Sequence, residues 1–352
     1  MPVVWSDRQR LHEPGGEIWV GVHTPGTELP ERADRIRAEL ERRGARLLEA
    51  EPHPDEVLEL HDPRLIAYLA SAWQAWDEAG LTTDPGQDRV VPYLFPHAGL
   101  VGDLEPAIPA AATARAGIFA YDTMTLIGPG TWEAARAAVD TAATAADLVR
   151  AGERAAYALC RPPGHHATRT AFGGSCYLNN TAAAAARLGE AGDRVAVIDI
   201  DAHHGNGTQS IFWESGDFLV GSVHVDPGAG WFPHFLGFAS ETGAGSGEGA
   251  NRNVPLSPGT GDGPWVEAVA ELAAWLGQEA GYLVVALGVD AAGGDPESPL
   301  EVSAEGYRAA GRALGALGLP TVFVQEGGYD LDTIGPLVAD TLLGFEEAAR
   351  PG

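Results

Sequence analysis

Short runs of β-branched and aliphatic residues recur along this chain, and each is followed by an alanine-rich stretch with helical spacing. That rhythm predicts an α/β fold, a parallel sheet covered by helices on both faces. Strands are expected at Ala156 to Cys160, Arg194 to Ile200, Phe218 to His224, Tyr282 to Leu287 and Pro320 to Gln325. Helices fall between them, at Thr131 to Arg150, Asn179 to Ala191, Gly263 to Glu279, Ser303 to Leu317 and Ile334 to Ala348, with an earlier one from Leu29 to Arg43. Leu81 to Ile118 and Pro227 to Gly263 are rich in Gly and Pro and lack clear periodicity, which predicts long surface loops of the kind that carry function.

Single α/β sheets often exceed the ~150 residues of an average domain, so one domain over all 352 residues is expected. An apolar fraction of 45% against 20% charged residues leaves ample surface to bury in its core. The 49 Asp plus Glu outnumber 22 Lys plus Arg, and the resulting formal charge of -27 repels polyanions and argues against a nucleic-acid partner. Cys160 and Cys176 are too few for a disulfide framework, and no charged-then-apolar leader follows Met1, which fits a reducing cytoplasm. Apolar runs such as Tyr282 to Leu287 fall far short of the ~20 residues that cross a membrane, so no membrane association is expected.

The most informative segment is VAVIDIDAHHGNG, Val195 to Gly207. Its strand ends in Asp199, Asp201 and His203 at alternate positions, which a period of two places on one side. Ligands of open parallel sheets bind beyond the carboxyl ends of the strands, where these groups fall. Asp201 and His203 suit zinc, and a third ligand is needed; Asp290, just past the strand Tyr282 to Leu287, lies in the corresponding place, where an Asp alone more often caps a loop. Three protein ligands leave a coordination position open, the arrangement of a catalytic site.

CRPPGHHA, Cys160 to Ala167, follows another strand and sets His165 and His166 in a rigid turn, with Asp199 and Asn206 available to orient them for general acid and base work. In VQEGGYD, Gly327 and Gly328 permit backbone geometries that aim Tyr329 inward, where its hydroxyl can donate to an oxyanion. A packed, structural polar cluster is the bland alternative, and the number of such groups at one edge argues against it.

In this order, RPPGHHA, GGSCYLNN, DIDAHHGNGTQ, GVDAAGGDP and EGGYD resemble the histone deacetylase superfamily over about Trp19 to Phe345. GNGTQ, ETGAGSGEGANRNVPL and IGPGTWEAA look closest to its bacterial acetylpolyamine amidohydrolases and class II deacetylases. The resemblance implies an arginase-like domain with an eight-stranded parallel sheet. It makes Asp201, His203 and Asp290 the zinc ligands, His166 the general base, bonded to Asn206, and Tyr329 the carbonyl-polarising group. His165, paired with Asp199, becomes the electrostatic partner. It further implies a potassium ion at Asp199, Ser222, Val223 and the backbone of Asp201 and His203, a substrate tunnel at Gly174 and Phe232, and Arg32 at the base of an acetate-exit channel.

One departure is Ser175, where family members usually carry an aromatic residue, so the tunnel is expected to be wider on that side. The loop holding YLFPHAGLVGDLEP resembles an insertion that narrows the entrance and builds a homodimer; Asp103 and Glu105 there can meet an ammonium group or simply be solvated. The substrate readings are an acetylated polyamine, another acylated small amine, and acetyl-lysine. An arginase-type dimanganese ureohydrolase would need further carboxylates at Gly205 and Ala292, and a silent binder of acylated amines would not need the whole catalytic set. His224 is expected in the core, His97 at the site rim or exposed, and most Trp residues in packing.

Overall fold

The computed structural model describes residues 1–349. Its strands are β1 (Pro2–Trp5), β2 (Glu17–Trp19), β3 (Val22–Thr24), β4 (Arg46–Glu49), β5 (Ala155–Ala158), β6 (Val195–Asp199), β7 (Phe218–Val225), β8 (Asn251–Leu256), β9 (Tyr282–Leu287) and β10 (Thr321–Gln325). Its helices are α1 (Glu31–Arg42), α2 (Pro63–Glu78), α3 (Ala98–Val101), α4 (Ala112–Phe119), α5 (Thr131–Arg150), α6 (Asn180–Gly189), α7 (Asn206–Phe212), α8 (Asp262–Leu276), α9 (Ala304–Gly315) and α10 (Ile334–Ala348). Eight strands form one parallel sheet in the order β4-β1-β5-β10-β9-β6-β7-β8, while β2 and β3 make a separate hairpin.

Alternation along the strands divides the core in two. Ala196, Ile198, Val285, Leu287 and Phe323 pack with α1, α8, α9 and α10 on one face. Val195, Val197, Val284, Val322 and Val324 pack with α5 and α6 on the other. The alanines of α5 and α6, such as Ala142, Ala145, Ala184 and Ala185, are fully buried, so these helices gain close approach as well as helix propensity. A third apolar cluster beneath α2 and α4 includes Tyr68, Trp76, Phe119 and Phe172.

The strands and helices expected from the sequence fall within a few residues of those observed, while β1, β2, β3, β4, α2 and α7 were not anticipated. The two expected loops need correction. Residues 81–118 contain α3 and most of α4, and residues 227–263 contain β8, which pairs in parallel with β7 at the sheet edge. Its sequence NRNVPL has no apolar run because an edge strand is covered less fully, and Pro255 is tolerated where only one side must be hydrogen-bonded. Among the described residues no helix is long and apolar enough to cross a membrane.

The four strand ends that carry the sequence motifs belong to neighbours, β5, β10, β9 and β6, in the middle of the sheet. Parallel pairing puts all four carboxyl ends at one edge, which brings Gly164 and Glu326, 162 positions apart, into contact.

Helix packing tests the fold. A Cβ added to Gly311 on α9 would lie 2.1 Å from the Thr341 carbonyl oxygen on α10. Gly311→Ala should therefore destabilise the protein by about 1–3 kcal/mol, despite the ~1 kcal/mol that alanine gains in helix propensity. A urea midpoint equal to or above that of the parent would contradict this packing.

Candidate metal centre and active site

The metal-ligand candidates converge. One donor atom from each of Asp201, His203 and Asp290 lies within 4.8 Å of the others. His203 Nδ1 is 3.3 Å from Asp201 Oδ1 and 3.0 Å from Asp290 Oδ2. The strand-period argument covers only part of this, because β6 ends at Asp199. Beyond it, carboxylates set the path: Asp199 Oδ1 accepts from Asp201 N at 3.1 Å, and Asp201 Oδ1 from His203 N at 2.8 Å. Asp290 Oδ1 accepts from Ala202 N at 2.9 Å, and Asp201 Oδ2 from Gly327 N at 2.7 Å, which ties β9 and β10 to the same loop. A side chain at Gly327 would lie 2.5 Å from both carboxylates, so that position needs glycine for space.

Burial, followed by the neighbouring Asp201 charge, pushes the Asp290 carboxyl above its ordinary range. Burial also raises Asp201, but His165 and His203 outweigh it and hold that carboxyl low. Two buried carboxylates around an imidazole make an anionic O, N, O donor set that calls for a divalent cation, and these residue types fit zinc. The second group of donors within mutual reach among the described residues is His165, Cys176 and Glu326.

The histidine turn stands beside this centre. His165 Nδ1 is 2.8 Å from Asp199 Oδ2, and His166 Nδ1 is 2.7 Å from Asn206 Oδ1. The His165 imidazole is pushed up to about 10, since the charges of Asp199 and Asp201 overcome the opposing effect of burial. Its neighbour is driven the other way: burial, then the His165 and His203 charges, depress His166 well below the usual imidazole range. The two rings lie 4.0 Å apart between centroids, and the His165 carbonyl accepts from Gly207 N and Thr208 N at the start of α7.

Sequence reasoning missed what fixes this turn. Glu326, immediately before the two glycines, is buried and accepts from Gly164 N at 2.6 Å, His165 N at 3.0 Å and Thr181 Oγ at 2.6 Å. Its place before the Gly-Gly pair was the only signal. Arg32, also buried, donates to the carbonyls of Glu326 and Gly328, both at 2.6 Å, and stacks over the Tyr329 ring at 4.6 Å. Glu28 pairs with Arg32 at 2.9 Å and with Arg161 at 2.8 Å. Gly328 adopts φ +114°, so the special backbone geometry belongs to the second glycine of the pair. Tyr329 is half-buried, and burial holds its phenol protonated far above neutral pH.

Other expected positions are distributed as follows. Phe232 meets the His166 ring edge-on at 4.7 Å. Gly174 lies between them: an added Cβ would be 2.4 Å from His166 Cδ2 and 2.9 Å from Phe232 Cε1. Ser175 is half-buried and donates its N–H to Thr125 Oγ at 2.9 Å. Ser222 pairs with Asp199 across the β6–β7 register, and its hydroxyl meets His224 Nδ1 at 2.8 Å; Val223 is in the core. His224 is buried, while His97, Asp103 and Glu105 are all exposed. Trp19 is 60% exposed, while the other tryptophans are buried or partly buried, as expected of most of them. Cys176 is buried with its thiol pushed up, which leaves it unreactive. Gly205 has no room for a carboxylate, since an added Cβ would lie 2.1 Å from Asp199 Oδ2.

Two cavities open toward this region and share Trp19, Met124, Phe232 and His234 as walls. One, about 430 Å³, reaches His203 and carries Glu17 and Glu297. The other, about 580 Å³, is largely apolar, with Ile18, Val20, Phe95, Tyr121 and Phe235 around Asn206. Glu17, on the wall of the cavity that reaches His203, is pushed up to about 7 by burial and then by the Glu297 and Asp122 charges.

Comparison with known proteins gives a consistent picture. The family profile described as histone deacetylase domain matches residues 27–344. The acetylpolyamine amidohydrolase of Mycoplana ramosa is 40% identical over 98% of this chain and 99% of its own length. Acetylpolyamine amidohydrolase 1 of Pseudomonas aeruginosa is 40% identical over 99% of each chain. The crystal structure of acetylpolyamine aminohydrolase from Burkholderia pseudomallei superposes with a TM-score of 0.92, at 35% identity over 99% of both chains.

Removing the Glu326 side chain would leave buried donors on the histidine turn and on Thr181 without an acceptor. Glu326→Ala should therefore cost roughly 3 kcal/mol or more of stability, at about 1–3 kcal/mol for each such group. Denaturant unfolding measures this, and a loss under 1 kcal/mol would mean that water replaces the carboxylate.

Proposed function

We propose, from the premise that this chain belongs to the histone deacetylase domain family, that it is a zinc-dependent hydrolase of N-acetylated small amines, with acetylated polyamines as its substrate class. The observation that carries this reading is an O, N, O donor set beside an imidazole kept neutral by its surroundings.

Asp201, His203 and Asp290 would hold the zinc ion, which when bound supplies Lewis acidity, polarising an amide carbonyl and making water a stronger acid. His166 donates its Nδ1–H to the Asn206 side-chain oxygen, so Nε2 keeps a free lone pair. From there it takes the proton of the attacking water and returns it to the departing amine. His165, held as an imidazolium by Asp199, keeps its neighbour neutral in the resting state. Tyr329, protonated and held by the Arg32-braced turn, donates its O–H to the oxyanion. A potassium ion would be held by Asp199, Ser222, Val223 and the backbone of Asp201 and His203. The exposed apolar residues Tyr93, Leu94, Leu100 and Leu104 fit the homodimer implied by the insertion.

The polyamine class is favoured by Glu17 and Glu297, carboxylates on the cavity that reaches His203, where the ammonium groups of a polyamine would find a counter-charge. The wider tunnel expected at Ser175 belongs to the same reading.

Chelation should abolish hydrolysis of N-acetyl polyamines and added zinc should restore it; full turnover by metal-free protein would end the proposal. Tyr329→Phe should lower kcat by roughly 10² to 10³ with metal still bound, and parental turnover in that variant would remove Tyr329 from the reaction. Because Glu17 ionises near pH 7, the preference for cationic over neutral N-acetyl amines should grow as pH rises through 7 and fade below it. Glu17→Gln should flatten that pH dependence through KM; an unaltered profile would exclude Glu17 as the counter-charge.

A further inference from the structure

A tight turn lies against the His166 imidazole, and something outside the motifs holds it there. Gly173 and Cys176 exchange backbone hydrogen bonds of 3.1 and 3.0 Å, so Gly174 and Ser175 are the central residues of the turn. Both are left-handed, with φ +56° and +60°. That combination defines a type I′ turn, which suits Gly and Asn but strains a serine. The turn leaves the two central N–H groups pointing away from the chain, and each is captured. Asp122 Oδ2 accepts from Gly174 N at 2.6 Å, and Thr125 Oγ accepts from Ser175 N at 2.9 Å. Thr125 Oγ–H in turn donates to Asp122 Oδ2 at 3.2 Å, which closes the set into a ring.

The other Asp122 oxygen accepts from Met124 N at 3.0 Å and Thr125 N at 2.9 Å. Both oxygens are thus engaged by fixed donors, unlike Glu17, so Asp122 is built to hold backbone and not to bind a substrate ammonium. The same segment makes a third attachment, from Tyr121 Oη–H to the His166 carbonyl at 2.9 Å. Gly174, the residue Asp122 grips, packs between His166 and Phe232 with no space for a Cβ.

We infer that Asp122 and Thr125 are positioning residues of the hydrolysis, locking the strained Gly174–Ser175 turn against His166 and Phe232. The inference rests on the deacetylase reading for its kinetic consequence, and on geometry alone for its structural one. Release of the turn would let Gly174 drift from the imidazole and widen the gap at the reacting centre.

The test compares the metal-loaded parent with Asp122→Asn, Thr125→Val and Thr125→Ser. Asp122→Asn and Thr125→Val should lower kcat roughly tenfold to a hundredfold with a smaller change in KM, while Thr125→Ser, which keeps the hydroxyl, should recover most of that loss. Amide hydrogen exchange supplies a readout independent of turnover. The peptide covering residues 173–176 should exchange faster in Asp122→Asn and Thr125→Val, with that covering residues 199–206 unaffected. Parental kcat and parental exchange in Thr125→Val would overturn the inference, as would equal losses in Thr125→Val and Thr125→Ser. If Asp122→Asn does not fold, the two Thr125 variants decide the matter alone. An inactive parent with faster exchange in Thr125→Val would instead refute the deacetylase reading and leave the clamp intact.

Discussion

Asp199, Asp201, Asp290 and Glu326 all lie out of water at one edge of the sheet, and an unsatisfied carboxylate there would be intolerable. The molecule answers with backbone N–H groups drawn from other segments. Asp201 takes one from the β10 turn, Asp290 one from the loop after β6, and Glu326 two from the histidine turn. Each of these candidate site carboxylates is therefore also a tie between strand ends. The arrangement of the candidate metal ligands, the geometry of the imidazole pair and cohesion of this edge are properties of one hydrogen-bonded network.

Much of this could be read from the chain itself, for physical reasons. Central parallel strands are buried on both sides, so Val195–Asp199 and Thr321–Gln325 stand out as apolar runs. The candidate site residues follow such runs directly, which is why the convergence of Asp201, His203 and Asp290 and the pairing of His165 with Asp199 and His166 with Asn206 were legible in the sequence. Peripheral strands such as β4 and β8 lack that signature because they are covered less completely.

What escaped notice depends on contacts distant in sequence. Nothing local marks Glu326 as the acceptor for Gly164 and His165, because the pairing exists only once β5 and β10 are neighbours. Asp122 lies in a stretch with no periodicity and meets Gly174 across a separation of 52 residues. Glu28, just before α1, and Arg161, just after β5, form a buried pair that single-sequence patterning does not connect. Local propensity identifies elements, whereas the network that satisfies buried charge is visible only after folding.

The cramped space at Gly205 limits what else this edge of the sheet could hold. Introducing an aspartate there, the substitution a dinuclear site would require, drives a Cβ into the oxygen that Asp199 shares with His165. Making room for it would move that oxygen and loosen the carboxylate–imidazole pair. A second acidic ligand at this position and the present His165–Asp199 contact are therefore in steric competition.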